Sequence, residues 1–589
     1  MRRIEDYALL SDLQTAALVH RSGSVDWCCF PRFDSGACFA ALLGDKDNGS
    51  WTLAPVPPVT GCSRRYREGT LILESEFETD QGVVRVIDFM PPRGEAPDIV
   101  RIVEGVRGTV EMKSLLIVRF DYGHIVPWMR RMDGLRLAIA GPDAVSFQTP
   151  IESHGDHLST VSNFAITEGQ RIPFVMTWYP SHKPQPAGVD PELSLKETES
   201  FWTEWCGQYT YEGQYGDVVH RSLLVLKALT YAPSGGIVAA PTTSLPEWLG
   251  GVRNWDYRFC WLRDASLTLV AMLKAGYQAE ALAWRDWLLR AIAGDPADVQ
   301  IMYGITGERR LEERELDWLA GFEGSKPVRI GNAASSQVQL DVYGEVMDAM
   351  YLTLVHGGGK SSFAWSLMKQ LLKWLEHGWR QEDAGIWEVR GPNRHFTHSK
   401  IMAWVAFDRA VRMCEEFGQD GPVDRWRDIR DEIHAEVLDK AWSERQQAFA
   451  QYYGSDDMDA SILLMPIIGF LPPNDPQVVS TVDAVCRELT VDGLLLRYKV
   501  EDSGVDGLPP GEGAFLACSF WLVEVLALQG RDAEARVLFE RLISFRNDLD
   551  LLAEEYDPVQ GIQLGNFPQA FTHLALVTAA LTLEAPAER

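Results

Sequence analysis

SHKPQPAGVDPEL, residues 181–193, divides the chain into two stretches of different periodicity. Three prolines and a glycine make it a linker, since neither residue type sustains a helix or an inner strand. Upstream, side chains alternate with period two. Residues 15–28 read TAALVHRSGSVDWC, two strands around an Arg-Ser-Gly-Ser turn. Residues 71–90 repeat the pattern around Asp80-Gln81-Gly82. Residues 99–106 and 110–120 make a third pair around Arg107-Gly108, and IPFVMTWY at 172–179 a last strand. Short strands between turn signals predict an antiparallel β-sandwich over residues 1–180.

Downstream, a short amphipathic helix near 195–206 completes a connecting segment, residues 181–214. From Asp217 the apolar period becomes helical. Twelve segments begin near Asp217, Arg263, Ala279, Asp341, Ser362, His398, Pro422, Asp456, Pro476, Glu512, Asp532 and Gln569. Asp217, Asp456 and Asp532 suit N-caps, and Pro422 and Pro476 suit first turns. Links from even to odd helices are short, as in Gly276-Tyr277-Gln278 or Gly530-Arg531. Links from odd to even helices run to about 15 residues or more, well beyond ordinary connections. In antiparallel helices, alternate links lie at opposite ends, so all the long ones share one rim. This pattern predicts an (α/α)6 barrel over residues 215–589, functional on that rim.

Composition narrows the partners. A net charge of −28 without a basic stripe repels nucleic acid and anionic membrane surfaces. Neither a signal peptide nor a span of ~20 apolar residues is visible. Nine scattered cysteines without a CxxC argue against a disulfide framework or a zinc site and for a reducing cytoplasm. No cofactor or metal is implied, and a homo-oligomer stays open.

The long loops carry the candidate chemistry. RNWDYRFCWLRD, residues 253–264, interleaves Trp255, Tyr257 and Trp261 with Asp256, Arg263 and Asp264. Rings cover the C–H faces of sugars, and charged groups bind hydroxyls. Equally, the tryptophans could be core and Arg263-Asp264 a helix start. PVRIGNAA at 327–334 leads to Gln337, Gln339 and Asp341, polar groups suited to hydroxyls or to a capped turn. DAGIWEVRG at 383–391 holds Glu388 between Trp387 and Val389. Burial there would raise its pKa, as a general acid requires, and Arg390 would oppose this if it pointed the same way. Arg497-Tyr498, Glu501-Asp502 and GLPPGEG at 507–513 add charges and glycines. LLAEEYD at 551–557 ends an apolar run on Glu554 and Glu555, a water-holding base or an exposed acidic turn. Glycosidic cleavage needs two carboxyls flanking the bond. Other chemistries fit poorly. HExxH and GxSxG are absent, and Leu354 stands where a phosphate loop ending in Gly359-Lys360-Ser361 needs glycine.

Taken in order, IEDYALLSDLQTAALV (from Ile4), GSVDWCCFPRFDS (from Gly23), NWDYRFCWLRD, PVRIGNAA, GIWEVRG, HFTHSKIMAW, GLPPGEGAF, AEEYD and LGNFPQAFTHLAL resemble glycoside hydrolase family 15, the glucoamylases and bacterial trehalases. The resemblance covers nearly the whole chain. It implies a β-sandwich joined to an (α/α)6 barrel and hydrolysis of an α-glucoside with inversion. It implies Glu388 as general acid and Glu554 as base. Arg263 and Asp264 would bind hydroxyls, Tyr257, Trp261 and Trp387 would line the pocket, and Arg497 would reach the substrate. Glu555 stands where glucoamylases often carry Gln, which puts its role in positioning water in doubt. RIGNAA, HFTHSK and LGNFPQAFTHLAL are more similar to the trehalase branch than to fungal glucoamylase. A glucoamylase or isomaltose-type α-glucosidase is the alternative within the family. A disaccharide phosphorylase and a non-catalytic sugar-binding protein are the alternatives outside it.

Overall fold

The computed structural model describes residues 2–132, 134–499 and 505–585. Glu501 and Asp502, named above, lie outside the described residues.

Between Tyr7 and Pro180 the chain forms two antiparallel layers that share one strand. That strand, Asp98–Ile117, is where expectation and structure differ. Arg107-Gly108 is not a hairpin turn, and the strand runs through it. Its first half pairs with Gly82–Phe89 and Arg171–Pro180, its second half with Ser50–Pro55 and Ser159–Thr167. The change of partners explains why two apolar alternations meet there without a reversal. Gly108, at φ +72°, permits the bend, and the Gln81 carbonyl leaves no room for a Cβ at that position.

Helix α1 (Pro191–Cys206) starts four residues earlier than its apolar pattern suggests, because Asp190 caps it. The barrel follows. Its inner ring consists of α3 (Leu262–Lys274), α5 (Asp341–Val355), α7 (Thr397–Phe417), α9 (Leu464–Ile467), α11 (Leu516–Leu528) and α13 (Ala570–Glu584). Each packs on the next, α9 through its flanking 3₁₀ turn Ala460–Leu463, and α13 closes on α3. The outer helices are α2 (Gly216–Ala228), α4 (Gln278–Ala291), α6 (Ser362–Gly378), α8 (Val423–Lys440), α10 (Pro476–Leu489) and α12 (Asp532–Ile543). Burial sorts them: α11 is buried over nearly its whole circumference, α8 along one stripe only.

Two helices begin later than expected, for identifiable reasons. Asp456 accepts from the Ser443 hydroxyl and lies in a loop, and Asp459 caps the turn that leads into α9. Glu512 is drawn into a buried ion network, so α11 starts at Leu516. Asp217 and Asp532 lie within the first turns of α2 and α12 and cap nothing. They face the positive end of the helix dipole instead.

The sandwich forms a floor for one barrel loop. Arg258, 1% exposed, pairs with Asp256 and donates from Nη1 to the Ser35 carbonyl at 2.9 Å. Trp27 Nε1 donates to the Pro241 carbonyl at 2.8 Å, and one hydrophobic core runs through both parts. Asp256 is therefore spent on holding the loop and is not a hydroxyl-binding group.

Candidate active site

Loops that lead into the inner helices wall one cavity, which opens at its mouth. Tyr257, Trp261, Arg263 and Asp264 enter it ahead of and at the start of α3, Trp387 and Glu388 ahead of α7, and Arg497 ahead of α11. Glu554 and Glu555 stand one layer back. Glu554, 2% exposed, accepts a hydrogen bond from Tyr257 Oη at 2.7 Å. The Tyr257 and Trp261 rings meet edge to face at 5.2 Å. Trp261 Nε1 then donates to Glu388 Oε1 at 3.2 Å. A single aromatic wall thus joins the two carboxyls without bringing them into contact.

Glu388 is held in a left-handed backbone conformation, φ +52°, which a non-glycine residue adopts only where its surroundings enforce it. Gln337 supplies part of that force by donating to the Glu388 and Val389 carbonyls at 3.2 and 3.0 Å. The arginine that meets Glu388 is Arg263, at 3.2 Å. Arg390 turns away, onto Glu313 and the Trp255 ring. Burial pushes the Glu388 carboxyl up, and Arg263 opposes that. Arg263 Nη1 also donates to the Ile386 carbonyl at 2.6 Å, and Nη2 to Asp264 at 3.2 Å. Asp264 Oδ1 is buried with no protein partner, an acceptor left for a ligand hydroxyl. Trp387 Nε1 is fixed by Asp459 at 2.9 Å, so its ring serves as wall.

On the opposite side, Arg497 Nη2 lies 3.0 Å from Glu247 and 2.7 Å from Glu512. Arg253 pairs with Asp506 and lies 3.7 Å from Glu512. Glu555 is fully buried, accepts from the Gly513 amide at 2.7 Å, and keeps Oε1 3.8 Å from Arg497. It braces the guanidinium and does not line the cavity. Oxygens of Glu247, Glu512 and Glu555 lie within 4.8 Å of one another, a spacing suited to a metal. The Arg497 guanidinium already sits among them and supplies the positive charge. Burial, then repulsion from Glu247, pushes the Glu554 carboxyl up to about 8, against Arg497 and the Tyr257 hydroxyl. Glu247, Arg253 and Asp506 were not singled out in the sequence. A carboxylate inside the apolar run IVAAPTTSLPEWL, residues 237–249, was the available signal for Glu247.

Gly565, at φ +78°, lies against Glu554: a Cβ would come within 2.7 Å of its Oε2. Gly565→Ala should displace that carboxyl and lower kcat about 100-fold, as small misplacements do. Circular dichroism should show the fold retained. Wild-type turnover in a folded variant would contradict the placement.

Comparison with known proteins agrees in several ways. The model of the glycosyl hydrolases family 15 matches residues 213–581, and a trehalase-like N-terminal model matches residues 1–154. A trehalase of Mycolicibacterium smegmatis is 38% identical, over 98% of this chain and 91% of its own. A trehalase of Thermoplasma volcanium is 34% identical, over 99% and 94%. A crystal structure of a bacterial glucoamylase complexed with acarbose superposes with a TM-score of 0.73 at 12% identity, covering 99% of this chain and 94% of that one. At that identity it shows the shared fold alone, a sandwich and an (α/α)6 barrel in the same order.

Proposed function

The chain belongs to the glycosyl hydrolases of family 15, and from that membership we propose that this glycoside hydrolase cleaves trehalose to two glucose molecules with inversion. The observation that carries the chemistry is the pair Glu388, half-buried in the cavity wall, and Glu554, buried one layer behind it, joined through Tyr257 and Trp261. Near-full-length similarity to trehalases supports the substrate.

In this reading Glu388 carries the proton that goes to the glycosidic oxygen as the bond breaks. Glu554 takes a proton from water while the water oxygen attacks the anomeric carbon from the opposite face. Tyr257 fixes the carboxylate that receives it, and Arg263 and Asp264 hold the sugar's hydroxyls. The carboxylates around Arg497 and Arg253 favour the positive charge that develops on the sugar ring. The division into 1–180, 181–214 and 215–589 and a cytoplasmic location belong to the same proposal. No described helix is long and apolar enough to cross a membrane.

The test is a substrate panel of trehalose, maltose, isomaltose and longer α-glucans, with NMR of the products first released. Inversion at one anomeric carbon of trehalose yields one β-glucose, and the departing glucose keeps its α configuration. Equal initial amounts of the two anomers are expected. Initial α-glucose alone would mean retention. Glucose 1-phosphate formed only with added phosphate would mean a phosphorylase. Faster cleavage of maltose or isomaltose would shift the substrate within the family.

A further inference from the structure

Around Arg263, the starts of α3, α5 and α7 bring together buried polar groups, several of which the mechanism does not use. Asp341 and Glu345, one turn apart on α5, are 1% and 6% exposed. Glu345 Oε2, Arg263 Nε and both ring nitrogens of His398 are buried there with no protein partner. So many orphaned donors and acceptors packed together mark a site for ordered water, which would bridge Arg263 Nε to the α5 carboxyls.

The groups that face the pair come from every neighbouring element. From α3 they are Arg263 and Asp264. From the loop before α7 they are Asp383, whose Oδ2 accepts from the Leu340 amide at 2.9 Å, and Glu388. From α7, His398, kept neutral by burial, faces Arg263, and Lys400 faces Asp383 and donates to the Trp379 and Gln381 carbonyls. Two carboxyls one turn apart in such surroundings do not both ionise. One does, because the α5 N-terminus and Arg263 both favour a negative charge.

We propose that Asp341 and Glu345 are positioning residues of the reaction: they share one proton and one negative charge behind Arg263, coupled to it through buried water. That charge occupies the rear of the guanidinium, so its front can hold Asp264 and the substrate without drawing the proton from Glu388. The inference rests on the reading of Glu388 as the acid. Burial pushes both carboxyls up, helped at Asp341 by repulsion from Asp383 and Glu388 and at Glu345 by repulsion from Asp341, and Arg263 opposes it in both.

The experiment is the pH profile of kcat/KM on trehalose for the full chain and for D341N, E345Q and D341N/E345Q. In each single variant the remaining carboxyl ionises and keeps the charge, so the alkaline limb stays in place. In the double variant the charge is gone, Arg263 acts on Glu388 unopposed, and the alkaline limb moves down by about one pH unit. On that side the pH profile shows a roughly tenfold loss relative to the variant's own plateau. A folded double variant with an unmoved limb overturns the proposal, as does a single variant that shifts the limb as far. If the double variant does not fold, infrared spectra of wild type and E345Q at neutral pH decide. Loss of one protonated-carboxyl band supports the shared proton, and an unchanged band overturns it. Failure of the Glu388 reading itself would appear separately, as retained turnover in E388Q.

Discussion

Glu388→Gln is expected to lower kcat on trehalose by ~10²–10⁴-fold, with KM and thermal stability close to wild type. The amide keeps the volume and can still accept from Trp261 Nε1, but it has no acidic proton for the leaving oxygen. Glu554→Gln should cost a similar factor for the complementary reason, since an amide cannot take the proton of the attacking water. Unchanged turnover in either variant removes that residue from its role. In the proposed mechanism the two carboxyls also fix the pH profile. Glu554 must be ionised to act, and its carboxyl is pushed up to about 8 in the free site. Activity therefore falls as pH drops below that value, which sets the acid limb. Glu388 must stay protonated, so its loss of a proton sets the alkaline limb. The Tyr257 hydroxyl stabilises ionised Glu554. Tyr257→Phe removes that donor, raises the Glu554 pKa further and moves the acid limb to higher pH. A limb that moved to lower pH would contradict the hydrogen bond's direction.

Arg497→Met is expected to destabilise the fold by about 3–5 kcal/mol, read as a shift in the urea midpoint. The cost comes less from the lost contacts than from what remains. Glu247, Glu512 and Glu555, with side chains 2%, 3% and 0% exposed, would face one another without the guanidinium between them. Arg253 compensates only in part, because Asp506 already engages it. The guanidinium also lies over the Phe515 ring at 5.1 Å, so its removal loosens the start of α11. Arg497→Lys should recover part of the loss, since an ammonium restores the charge but not the paired Nε and Nη2 donors that Arg497 sets against Glu512. If the methionine variant matched wild type in stability, the buried carboxyls would have to be protonated already.

The fold was legible where one period dominated and partly hidden where two influences competed. Alternation of short and long links placed the six inner helices, although α9 is only a single turn. Helix starts failed where an acidic side chain had a stronger partner elsewhere: Ser443 for Asp456, Arg497 for Glu512. Residues 98–117 show a limit of local reading. Alternation fixes which side chains are buried, but the partner strands decide whether a glycine reverses the chain or bends it. At the site, the motif around residues 253–264 pointed to Tyr257, Trp261, Arg263 and Asp264 together, because helix geometry aims neighbouring residues at one rim. Asp256 was misread because its partner, Arg258, lies two residues on, and the pair faces the sandwich. Glu247 escaped notice because its function depends on Arg497 and Trp255, contacts that exist only in three dimensions.

The bond from Arg258 to the Ser35 carbonyl has a practical consequence. It makes the β-layer a foundation stone of the loop that carries Tyr257 and Trp261, so a lesion far below the proposed sugar site would surface as lost turnover before it surfaced as lost solubility. Random mutagenesis scored on activity alone would then report hits around residues 27–36 and tempt one to draw a second binding site there. The same hits, re-scored by thermal melting with and without glucose, would separate a shaken support from a missing contact.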